Sequence, residues 1–119
     1  MVSIANAGRT IAGDLVAFDV RWEGSLPGAS VVWSMVVSDG ASEVRLCHER
    51  AGDEAVGQYV VDAASGRRRD VGVDADLQED EITVRFPADA VGVAVEWPVW
   101  VAVVTVDGQD VAQQAVPVS

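Results

Sequence analysis

The chain has 119 residues, half of them hydrophobic but only 6% aromatic, with 8 arginines against 19 carboxylates and a formal net charge of -11. That length suits one domain with one core, and folding should bury roughly two thirds of the unfolded surface. So acidic a surface repels nucleic acid and anionic membrane, which excludes both as partners, and no stretch is long and apolar enough to span a bilayer as a helix.

Valine dominates the apolar set, with 25 residues against three isoleucines and four leucines. Its branched Cβ favours strands over helices. Lysine is absent, so every basic residue is an arginine. The single cysteine, Cys47, excludes an internal disulfide and a zinc site built on cysteines. The opening MVSIANAGRT has neither a basic n-region nor an apolar h-region, so no signal peptide is expected there. A cytoplasmic chain and the mature part of an exported protein are both compatible with it, and localisation stays open.

In chain order, residues 1–13 read as an edge strand or arm, closed by Gly13-Asp14. Leu15 to Trp22 alternates, placing Val16, Phe18, Val20 and Trp22 on one face. Glu23 to Ala29 holds two glycines and a proline and reads as a loop. Ser30 to Ser38 turns Val31, Trp33, Met35 and Val37 inward and Val32, Ser34, Val36 and Ser38 outward, and Asp39-Gly40 signals a hairpin into Glu43 to Glu49. Ala55 to Asp62 is a further strand, followed by a polar loop from Ala63 to Arg69 that ends in three arginines.

Val71, Val73, Ala75 and Leu77 alternate with Asp70, Gly72, Asp74 and Asp76, which predicts one strand with an apolar and an acidic face. Glu79-Asp80-Glu81 turns the chain into Ile82 to Phe86, and Pro87 to Gly92 fits a single helical turn. Val93 to Val95 extends toward WPVWVAVVTVDG, the longest apolar run, whose strand is Val99 to Val106. Asp107-Gly108 is a second hairpin signal, with Val111 to Val118 as the return strand and Pro117 suited to an edge. About eight or nine short strands at roughly ten-residue spacing predict an all-β, immunoglobulin-like antiparallel sandwich, with a small closed β-barrel as the alternative.

The succession LVAFDVRWEGSLPG, SVVWSMVVSDG, EVRLCHERAGDEAVGQYVVDAASG, ITVRFPADAVG and a tryptophan-bearing strand ending VDGQDV resembles a β-sandwich module of exported actinobacterial proteins of unassigned function. The resemblance spans most of Asp14 to Val111. It implies the sandwich fold and carries over no catalytic or binding residue.

Candidate chemistry is sparse. Cys47 and His48 are the only thiol and imidazole, but neighbours on a strand point to opposite faces, so they are expected to be a surface thiol and a rim histidine rather than a nucleophile and its base. Asp70, Asp74, Asp76, Glu79, Asp80 and Glu81 form an acidic face that is solvated or a weak calcium site, without the EF-hand spacing. Arg67, Arg68 and Arg69 are solvated, paired with neighbouring carboxylates, or aimed at an acidic partner. Trp22, Trp33 and Trp100 share phases with core residues, while Trp97 is the tryptophan expected to be exposed.

No catalytic, metal or cofactor site emerges, so the expectation is a non-enzymatic binding or structural module. Its expected contact residues are the outward valines Val99, Val101 and Val103, extended by Val32 and Val36 if the two strands are neighbours, with Trp97 beside them. A second copy is the simplest occupant of such a face. Two alternatives are an acidic inhibitor or immunity protein for a basic partner, and a small-molecule-binding barrel or barrel enzyme with a pocket lined by Trp33, Met35 and Trp100.

Overall fold

Period-two alternation in short valine-rich segments gives ten strands in the computed structural model, which describes residues 2–26 and 30–117. They are β1 (Ser3–Ala12), β2 (Leu15–Glu23), β3 (Ser30–Ser38), β4 (Glu43–Ala51), β5 (Glu54–Asp62), β6 (Arg68–Val71), β7 (Ala75–Leu77), β8 (Glu81–Pro87), β9 (Val99–Val106) and β10 (Gln109–Val116). A four-stranded sheet runs β1-β2-β8-β7 and a six-stranded sheet runs β10-β9-β3-β4-β5-β6, every pairing antiparallel. With β6 set aside as an added edge, this is the strand order of a variable-type immunoglobulin sandwich. Two open sheets face each other, so the closed-barrel alternative is overturned. Among the described residues no helix is long and apolar enough to cross a membrane.

The core is built by the inward phases expected from the alternation. Val16, Phe18, Val20 and Trp22 of β2 and Ile82, Val84 and Phe86 of β8 meet Val31, Trp33, Met35 and Val37 of β3 and Trp100, Ala102, Val104 and Val106 of β9, all of them buried. Trp33 packs on Trp22 with ring centroids 5.4 Å apart. Antibody domains set their strand-C tryptophan against an inter-sheet disulfide, and here, with one cysteine, aromatic contact fills that role. Met35 and Trp100 are 0% and 1% exposed, filling the interior where a barrel ligand would have sat.

Turn chemistry separates the two aspartate-glycine pairs. Val106 pairs with Gln109 across Asp107 (φ 48°) and Gly108 (φ 85°), the positive φ pair of a two-residue hairpin turn. Asp39-Gly40 instead opens a four-residue loop, since Ser38 pairs with Glu43, and Asp39 accepts the Ala41 and Ser42 N–H groups at 2.9 and 2.7 Å.

Several boundaries differ from the sequence expectation. The strand expected through Val71 to Leu77 is two: β6 ends in the six-stranded sheet, Gly72 to Asp74 crosses the sandwich, and β7 joins the other sheet. Val73 and Leu77, expected on a packed apolar face, are 51% and 40% exposed in consequence. The loop expected from Ala63 ends earlier because Arg68 and Arg69 already pair with β5. Helix α1 (Ala88–Val91) follows Pro87 as expected, but Val93 to Val95 belongs to a 3-10 helix, Gly92–Glu96, rather than to a strand. Residues 27–29 of the first loop and Val118 of the last strand lie outside the described residues.

Candidate functional site

The outer faces of the two sheets differ in chemistry. On the four-stranded sheet the outward register carries Asp19, Arg21, Glu81, Thr83 and Arg85, a solvated charged surface. On the six-stranded sheet the outward positions of β9 and β3 are Val99, Val101, Val103 and Thr105 beside Ser38, Val36, Ser34 and Val32, with Ala115 and Gln113 of β10 flanking Val101 and Val103. The one charge in this block is Asp110 at its corner, which accepts a hydrogen bond from Thr105 Oγ1 at 2.8 Å.

Val99 is 48% exposed and Val101, Val32 and Val36 are half-buried, so these four present apolar area to solvent. Val103 departs from the expectation: it lies in the row but is only 4% exposed, held between Gln113 and Ser34. Trp97 departs further. It is half-buried and packs against the core before β9 begins, its N–H donating to the Ala94 carbonyl at 3.1 Å and its carbonyl accepting from Trp100 Nε1 at 2.7 Å. The structure brings Val32 and Val36 beside the β9 valines, through the pairs Val32 with Thr105 and Val36 with Val101. Ser34, Ala115 and Gln113 were missed because only the pairing shows which uncharged residues fill the gaps between the valines.

Beyond this block the face becomes charged. Arg45, Glu49, Arg68 and Asp70 sit on β4 and β6, and Tyr59 donates its hydroxyl to Glu49 at 3.1 Å under the Arg68 guanidinium, 3.7 Å from the ring centroid. Burial and the neighbouring negative groups push the Tyr59 hydroxyl up to about 12. Cys47 lies between Ser34 and Tyr59 in register. It is 6% exposed rather than a surface thiol, and burial pushes it up to about 11, which keeps it protonated and unreactive at neutral pH.

His48 points the other way, into the core, and is fully buried rather than at the rim. Arg50 Nε donates to its Nε2 at 3.1 Å, which places the ring proton on Nδ1, 3.0 Å from Gln58 Oε1. Gln58 Oε1 also accepts the Asp74 N–H at 3.1 Å, and Gln58 Nε2 donates to the Arg85 carbonyl at 2.6 Å. One glutamine thus ties β4 and β5 to β8 and to the crossing segment. Its inward phase, shared with Val44 and Leu46, was the available signal for His48.

Burial first, and the Arg50 charge, lower the His48 pKa below its usual 6.5 against the opposing effect of the Gln58 hydrogen bond. The unfolded chain therefore takes up a proton at a pH where the folded chain does not. Stability is full above about pH 6.5 and falls as pH drops toward the lowered folded value, with a slope of at most about 1.4 kcal/mol per pH unit. Because His48 is the chain's only histidine, urea unfolding at pH 7.5, 6.5 and 5.5 should show this loss, and His48→Gln should flatten it. An unchanged pH slope in His48→Gln would remove the assignment.

The acidic strand face has a cation of its own. Arg85 spans Asp74 and Asp76, with Nη1 3.0 Å from Asp74 Oδ1 and Nη2 bonded to Asp76 Oδ2, and Arg21 lies 3.6 Å from Asp80. Among the described residues no group of three or more His, Cys, Asp and Glu side chains is placed to hold a metal ion. A solvent-open cleft of about 790 Å³ lies at the sandwich end between residues 23–26 and Glu79-Asp80, with Trp22 and Leu26 in its wall. Its lining brings Glu23, Glu79 and Asp80 together with Ser25 and, among the described residues, holds no histidine or cysteine. Compared with known proteins, the chain matches no family model, no curated protein and no solved structure.

Proposed function

We propose that the chain is a non-enzymatic β-sandwich module that associates with a second copy of itself through the outer face of the six-stranded sheet. The observation that carries this is the block on β10, β9 and β3, uncharged apart from Asp110 at its corner, in a chain of net charge -11. Like-charged surfaces repel, so two copies meet at least cost where neither carries charge. From strand spacing and rise, the block covers roughly 400 Å² and the whole six-stranded face roughly 750 Å². A stable pair buries roughly 800 Å² per partner, so the block supplies about half of such an interface and the Arg45, Glu49, Arg68 and Asp70 side its polar part.

A two-fold arrangement presents the same patch on both copies and closes without further growth. Sedimentation equilibrium at tens of micromolar tests it, since a Kd of about 1 µM or tighter keeps the chain paired there. The expected result is a dimer, converted to monomer by Val101→Asp or Val99→Asp with the circular dichroism spectrum retained. Each aspartate meets its own symmetry mate or an apolar surface, and the expected loss is about a hundredfold in Kd, near 3 kcal/mol. A monomeric wild-type chain at these concentrations sinks the proposal.

A further inference from the structure

Three of the eight basic residues, Arg67, Arg68 and Arg69, stand together at a depression beside the association face, with Arg68 on the boundary between the two. It has a volume of about 300 Å³ and lies between β4, β5 and β6 on one side and α1 on the other, floored by Val44, Val60, Ala90 and Val91. Val44 and Val60 are inward positions of their strands, so the depression opens on the flank of the core rather than on the outer sheet face.

The arginines around it have different engagements. Arg68 is turned outward, its Nε 2.8 Å from Asp70 and its guanidinium over Tyr59. Arg69 bridges to α1, with Nη1 3.3 Å from the Asp89 carbonyl and Nη2 3.9 Å from its carboxylate. Asp62, the acid in the lining, is committed to the turn: its Oδ1 accepts the Ala64 N–H at 3.0 Å and its carbonyl accepts the Gly66 N–H at 2.8 Å. Arg67 makes no ion pair among the described residues, and its own carbonyl holds the turn by accepting the Asp62 N–H at 2.9 Å. Of the three arginines without an ion pair among the described residues, Arg9 lies over Trp100 and Arg50 bonds His48 and the Asp53 carbonyl, which leaves the exposed Arg67 as the one lining the depression with its guanidinium unengaged.

We propose that this depression binds a small aliphatic carboxylate, its apolar body on Val44, Val60, Ala90 and Val91 and its carboxylate held by Arg67. Guanidinium and carboxylate match in a two-pronged hydrogen-bonded geometry, and a volume near 300 Å³ is at the small end of ligand sites. An inorganic anion would leave the apolar floor unused, and a neutral aliphatic molecule would leave Arg67 without a partner. The groups proposed to hold the ligand, Arg67 and the apolar floor, are not among the association-face residues, and the one shared lining residue, Arg68, is turned outward to Asp70 and Tyr59, so each proposal stands or falls on its own variants.

Octanoate is the probe, with 1-octanol as its neutral counterpart, read by methyl shifts of the full chain in titration. Octanoate is expected to saturate with shifts centred on Val44, Val60, Ala90 and Val91. Arg67→Gln should weaken it about tenfold, or about 1.4 kcal/mol, and 1-octanol should bind about tenfold more weakly than octanoate. The spectrum of unliganded Arg67→Gln shows whether the turn is intact, and Arg67→Lys, which keeps the charge, should recover part of the affinity. Absence of saturation, equal binding of 1-octanol, or shifts centred on Val99 and Val101 would each overturn the proposal.

Discussion

Gln58→Leu is expected to cost about 3 kcal/mol of folding stability, because one side chain satisfies groups from both sheets. Gln58 is 1% exposed, and leucine fills nearly the same volume, so little of the loss comes from a cavity. What is lost is hydrogen bonding to the His48 ring, to the Arg85 carbonyl and to the Asp74 N–H. Each buried group left unpaired costs about 1–3 kcal/mol. Asp74 is exposed and its N–H can turn to water, which leaves His48 and Arg85 as the main contributors.

In urea, with m of about 2 kcal/mol/M for a domain of this size, the midpoint should fall by about 1.5 M with m unchanged. A fall below about 0.5 M would show that water replaces the glutamine. The double variant His48→Leu/Gln58→Leu separates the two accounts. If the network is real, the pair costs less than the sum of the singles, because removing both partners leaves fewer orphaned groups.

The alternation that made the core legible could not reveal this network. Val16, Phe18, Val20 and Trp22 were readable as one buried face because a strand beside a core must turn every second side chain into it. His48 keeps the same phase as Val44 and Leu46, but what permits an imidazole there is a glutamine ten positions on and a carbonyl in the other sheet, and neither has a local signature. The crossing at Gly72 to Asp74 was hidden for a related reason. Val71, Val73, Ala75 and Leu77 keep an unbroken period of two through the switch, and a period says which face a residue takes but not which sheet.

Val93 to Val95 was misread because its apolar run matches a strand, whereas Gly92, at φ 68°, redirects the chain into a 3-10 turn. For the candidate face, the valine row of β9 was legible and its neutrality was not. That property belongs to Ser34, Gln113 and Ala115, which only the register of β3 and β10 sets beside it.

Trp100→Ala is expected to be the most damaging single change in the chain, at about 4 kcal/mol. Trp100 is 1% exposed on the inner face of β9, paired in register with Val37 and Val116. Its indole N–H donates to the Trp97 carbonyl, which pins the end of the helical connection to the core. Above its ring, 4.5 Å from the centroid, lies the guanidinium of Arg9 from edge strand β1. Arg9 pairs with Phe18 and so carries a charge inward at a sheet edge, a device that discourages edge-to-edge pairing and that the tryptophan makes tolerable.

Trp33 provides the contrast, since it is 3% exposed but its Nε1 is buried with no partner among the described residues. Trp33→Phe removes an unpaired donor along with volume, so the two effects offset and the net cost should stay below about 1 kcal/mol. Trp100→Phe loses the same volume and a hydrogen bond that is made, for about 2 kcal/mol. Thermal unfolding resolves the order, at roughly 3–6 °C per kcal/mol for a chain of this length. If Trp33→Phe lowers the midpoint as much as Trp100→Phe, hydrogen bonding does not distinguish the two indoles and packing volume alone sets their worth.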